Sequence, residues 1–156
     1  MRHWMILCLG LAACGTNAPA DDDGSGDVDC SAIQGTDTFT VGLEHQGANG
    51  NIDFKMMSAD PAPPSRGDNT WVVQLNTMSS GVVGNPMDGA TLHVTPFMPS
   101  HQHGTPVEVE IAPAGQPGQY TLSPVNLWMP GVWETTIDVT SGSTTDHAVY
   151  RFCIPS

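Results

Sequence analysis

Two short stretches of this 156-residue chain carry side chains whose types and spacing could do chemistry. The first is Phe97-Met98-Pro99-Ser100-His101-Gln102-His103-Gly104, and the second is Leu127-Trp128-Met129-Pro130-Gly131-Val132-Trp133. In extended chain, histidines at i and i+2 point to the same side, about 6–7 Å apart at the backbone. From that spacing two imidazoles can converge on one ion. Neutral imidazole suits copper, zinc and nickel, and a thioether sulfur selects Cu(I). Met98 lies close to the histidine pair, and Met129 sits in a Pro-Gly turn that could close on it from another strand. Met98, His101, His103 and Met129 would together make a soft, acid-poor site suited to copper, with Cu(I) favoured. The same residues have a plainer reading. His-x-His is often simply a polar loop, and Met98 and Met129, beside Phe97 and Trp128, could fill gaps in a core.

Other chemistry finds less support. No Gly-x-Ser-x-Gly, phosphate loop or His-Glu-x-x-His occurs, and Ser100 beside His101 is not a triad signal. A metal hydrolase needs an open coordination position and a placed base, and no sequence feature supplies them. The expectation is therefore a protein that is not an enzyme. His93 lies opposite Leu92 and Val94, either exposed or leaning toward the site. His45 and His147 read as isolated, satisfied or solvent-facing. Met56, Met57, Met78 and Met87 read as core or loop, and Glu44, Asp53 and Glu134 show no paired-carboxylate pattern.

The elements that must position the two stretches alternate with period two. Thr38–Gln46 would place Phe39, Val41, Leu43 and His45 on one face. Thr70–Leu75 would do the same with Trp71, Val73 and Leu75. Val107–Ile111 would turn its apolar residues inward and Glu108 and Glu110 outward. Tyr120–Leu127, Val132–Val139 and His147–Ile154 complete the set. Gly-rich and Pro-rich turns separate them, and no segment keeps helical periodicity over ten residues. About seven to eight short strands predict an all-β, immunoglobulin-like sandwich over residues 30–156.

The N-terminus reads as processing. An apolar run from Trp4 to Ala13 after a basic start is a secretory signal, too short to span a bilayer. Leu11-Ala12-Ala13-Cys14 resembles the bacterial lipobox, which implies a signal over residues 1–13 and a lipid on Cys14. The membrane is then a partner through that lipid, and Gly15 after the cysteine implies outer-membrane sorting under the enteric rule. Residues 14–29 read as the lipidated cysteine and an acidic, disordered tether. An exported protein meets an oxidising compartment, so Cys30 and Cys153 are expected to pair; the alternative is two free thiols. Four Lys+Arg against 16 Asp+Glu leave a net charge of −12. That excludes nucleic acid, whose phosphates need a basic face, and docking on anionic lipid by charge.

Ser58–Pro64, Gly67-Asp68-Asn69, the Met-Pro-Ser-His-x-His-Gly run, Gly118-Gln119-Tyr120 and Met129-Pro130-Gly131-Val132-Trp133 together resemble the YtkA-like domain family, to which FixH-type proteins are related. The resemblance covers most of residues 38–153. It implies an immunoglobulin-like or cupredoxin-like sandwich and, from some members, copper delivery to an envelope partner. Carried over residue by residue, it again points to Met98, His101, His103 and Met129. FixH-type proteins have a transmembrane helix where this chain has a lipobox, which argues against a direct role in oxidase assembly. The rival expectation is a structural or protein-interaction module of the envelope that binds no metal.

Overall fold

The computed structural model describes residues 27–156, so the expected signal, Cys14 and most of the tether lie outside the described residues. After a 3-10 turn at Cys30–Ala32 come ten strands: β1 (Leu43–Gln46), β2 (Ile52–Asp60), β3 (Gly67–Ser79), β4 (Val82–Pro86), β5 (Thr91–Met98), β6 (His103–Gly104), β7 (Glu110–Pro113), β8 (Gln119–Leu127), β9 (Gly131–Ser141) and β10 (Thr144–Ile154). They form two antiparallel sheets. One runs β1-β2-β3-β8-β7, with β4 also on β3, and the other runs β10-β9-β5-β6. Among the described residues no helix is long and apolar enough to cross a membrane.

The all-β sandwich follows from the alternation. Trp71, Val73 and Leu75 of β3, Leu122 and Leu127 of β8, Trp133 and Ile137 of β9, and Tyr150 and Phe152 of β10 are all buried between the sheets. Each strand interleaves them with more exposed residues, the period-two signature of a sheet with one wet face. Trp71 meets Phe152 edge to face across the interior, with centroids 5.6 Å apart.

The structure corrects several details. Ten strands replace the seven to eight expected. β2 was missed because Ile52, Asp53 and Phe54 are buried in succession, which hides the alternation. β4 was missed because all five of its residues are exposed, and β6 because it is two residues long. Val41, expected on one face with Phe39, Leu43 and His45, is 73% exposed, since the chain turns at Gly42 (φ +87°) before β1 begins. Val107, expected inward, is 37% exposed, because β7 starts only at Glu110 and residues 105–109 form the crossover into it.

Polar anchors hold the ends of the sandwich. Cys30 and Cys153 form the expected disulfide, with Cα atoms 5.7 Å apart, pinning the N-terminal segment to β10. Asp37 extends that attachment: its carboxylate accepts from His45 Nε2 at 3.0 Å and from the Arg151 N–H at 2.7 Å. At the opposite end the buried Asp146 carboxylate accepts from the backbone N–H groups of Asn49, Asn51, Ile52 and His147. Burial alone would raise its pKa, but the four donors together hold it below the usual carboxylate value. Gly47 has no side chain because that carboxylate fills the space where a Cβ would stand.

Candidate metal centre

The two chemistry-bearing stretches meet at one end of the sandwich. Met98 closes β5, and the chain reverses through Pro99–Gln102 into β6. Backbone hydrogen bonds from His101 to the Met98 carbonyl (3.2 Å) and from Gln102 to the Pro99 carbonyl (3.3 Å) close the reversal. Gln102 sits at φ +54°. The histidines are therefore held by a turn, and the extended spacing expected from the sequence is not the arrangement found. The turn still brings the rings together, with centroids 5.7 Å apart and planes inclined at 50°.

Register decides what else they meet. Met98 and His103 are direct partners across β5 and β6, so their side chains share a face. Gly104 ends this pair because a Cβ there would lie 2.9 Å from the Pro96 carbonyl oxygen. His103 Nδ1 is 3.0 Å from the Gly104 carbonyl oxygen. A carbonyl only accepts, so Nδ1 carries a proton, and in the neutral ring Nε2 is the nitrogen that keeps its lone pair.

The second stretch supplies the walls. Trp128, 42% exposed, stacks on the His103 ring at 5.2 Å, and the buried Trp133 meets the same ring edge-on at 6.1 Å. Trp133 Nε1 donates to the Met129 carbonyl at 2.9 Å and so closes the Met-Pro-Gly turn. Gly131 has φ +127°, and a Cβ there would lie 2.8 Å from the Met98 Cε. Arg66 Nε, from before β3, donates to the Trp128 carbonyl at 2.9 Å. A groove of about 250 Å³, lined by Val28, Ile33, Pro99, Ser100, Gly131 and Val132, places the N-terminal segment against both turns.

Of the four residues singled out from the sequence, His101 and His103 have neighbouring rings, and Met98 is the cross-strand partner of His103 on the same face. Met98 is fully buried in the core. Met129 is partly buried and packs against the core from the second turn. Among the described residues no three His, Cys, Asp or Glu side chains converge as a ready-made metal cluster. The sequence reading missed Trp128 and Trp133 as the walls around His103. Their flanking of the Met-Pro-Gly turn was the available signal.

A two-sheet antiparallel sandwich thus gathers a methionine, two imidazoles and two indoles at one end. The family model described as YtkA-like matches residues 45–138, well over half of the chain, and the chain belongs to that family. No curated protein and no solved structure matches it.

Proposed function

We propose that this protein is a lipid-anchored copper-binding protein of the cell envelope, acting as a copper chaperone or buffer, with Met98, His101, His103 and Met129 as its donors. The observation that carries the reading is the Met98–His103 cross-strand pair, with the His101 ring beside it. One thioether and two imidazoles are a soft, uncharged donor set, and that chemistry fits Cu(I) better than a hard cation. The bond from His103 Nδ1 to the Gly104 carbonyl fixes the tautomer and directs Nε2 to the ion, as a supporting hydrogen bond does for a ligating histidine. Trp133 and Met98 exclude water from the inner side, and the half-exposed Trp128 faces outward where a receiving partner would dock. The lipobox-like Leu11–Cys14 supports anchoring by a lipid on Cys14, on the periplasmic face of a membrane or at the outer membrane.

Cu(I) titration of the full chain against a chromogenic chelator tests this. One site in the parent chain, lost in His103→Ala and strongly weakened in Met98→Leu, is the expected result; no competition with the chelator would sink the copper reading. Met98→Leu keeps the core volume while deleting the sulfur. Incorporation of labelled fatty acid that disappears in Cys14→Ser tests the anchor.

A second reading is a protein-interaction module without metal. The complete burial of Met98 favours it, because a methionine fully enclosed by core residues also fills space. Under that reading the His-x-His turn can be replaced without loss of partner binding.

A further inference from the structure

The outer face of the four-stranded sheet carries a second set of ligand-type side chains that no sequence pattern connects. In the β5–β9 register His93 stands opposite Asp138, and in the β9–β10 register Asp138 stands opposite His147. The three lie in one row across three strands. Their chain neighbours Leu92, Val94, Ile137, Val139, Asp146 and Ala148 are all buried, so all three side chains point to solvent, and all three are exposed. Directly opposed residues have Cβ atoms about 4.5–5.5 Å apart. Asp138 thus has a histidine as its cross-strand partner on either side.

We propose that His93, Asp138 and His147 form a binding site for a borderline divalent metal ion, separate from the Met98–His103 corner. Two imidazoles and one carboxylate are a nitrogen and oxygen donor set. It suits Zn(II), Cu(II) or Ni(II) and offers nothing soft for Cu(I). As they stand, the three side chains do not converge, and His93 Nδ1 lies 3.3 Å from the Thr95 hydroxyl. Exposed side chains change rotamer in picoseconds to nanoseconds, so an arriving ion can gather them without any movement of the backbone. The flanking rows leave room. They are Thr91, Thr140 and Thr145 on one side and Thr95, Thr136 and Val149 on the other, all small and uncharged. The cation nearest along the face is Arg151, which is held by Glu134 at 3.2 Å and by the carbonyls of Gln34 and Gly35. The net charge of −12 favours a cation at any such surface. Met98 points to the interior from the same sheet, so the two sites lie on opposite faces.

Zn(II) alone is the probe, titrated into the full chain against a competing chelator, with near-ultraviolet circular dichroism confirming that each variant folds. The expected result is one Zn(II) per chain, weakened at least tenfold by Asp138→Asn and by His147→Ala, and unchanged in the His101→Ala/His103→Ala double variant. Binding that survives Asp138→Asn and His147→Ala, binding that disappears in the double variant, or no binding at all overturns the proposal. A failure of Cu(I) binding at Met98 would leave this result untouched.

Discussion

The Met98 methyl occupies the space in which a side chain at position 131 would stand, since a Cβ built on Gly131 would lie 2.8 Å from Met98 Cε. The glycine of one conspicuous turn is thereby explained by the methionine of the other. Gly131 also holds φ +127°, which an L side chain rarely adopts. Both constraints act on one residue, and together they lock the two turns into a single corner.

Gly131→Ala is accordingly expected to destabilise the fold by about 1–3 kcal/mol through overpacking and backbone strain. It should displace Met98 from its place across from His103. Chemical denaturation reads the first effect, and Cu(I) affinity reads the second. An unchanged denaturation midpoint would mean both that Met98 has room to move and that the backbone at position 131 relaxes from its positive φ.

Trp128→Ala removes the indole stacked on His103 while deleting little core. Aromatic stacking contributes about 0.5–1.5 kcal/mol beyond area burial. The variant should fold normally and bind Cu(I) about threefold to tenfold more weakly. Equal affinity in the two proteins would show that the stack on His103 contributes nothing to Cu(I) binding.

Asp146→Asn should destabilise by about 1–3 kcal/mol, because four backbone donors, that of Ile52 buried and the other three part-buried, lose their charged acceptor. The folded pKa of Asp146 is lowered, so its contribution is in place above the ordinary carboxylate pKa. It is lost as pH falls through the lowered folded value. Urea melts of both proteins at neutral and acid pH should therefore show a gap that narrows on acidification. A gap independent of pH would assign the effect to shape alone.

Reducing the Cys30–Cys153 disulfide opens a loop with a sequence separation of 123. The chain-entropy model gives about 4–5 kcal/mol for a loop of that length. Thermal melts with and without dithiothreitol should differ by many degrees. Coincident melts would show that Asp37 and its bonds to His45 and Arg151 suffice to hold the N-terminal segment.

The sandwich was legible in the sequence wherever one face of a strand is wet. Thr70–Leu75, Val132–Val139 and His147–Ile154 alternate cleanly, and all three lie inside longer strands. It was illegible at β2, where burial on both faces erases the period, and at β4 and β6, where exposure or brevity leaves no pattern. Within the site, His101 and His103 were legible because a turn keeps near neighbours in sequence near in space. The part played by Trp128, Trp133 and Gly131 was not, because those contacts cross between elements far apart in the chain.

The sequence by itself determined that the domain is all-β, that Cys30 and Cys153 are the cysteines to pair, and that two Met-Pro turns carry the candidate donor atoms. Each of these follows from local alternation, residue type or composition. Only the tertiary structure decided that Met98 lies buried across from His103 with Gly131 against it, and that His93, Asp138 and His147 share a row. Strand register brings residues tens of positions apart into contact, and it is set by packing two whole sheets against each other.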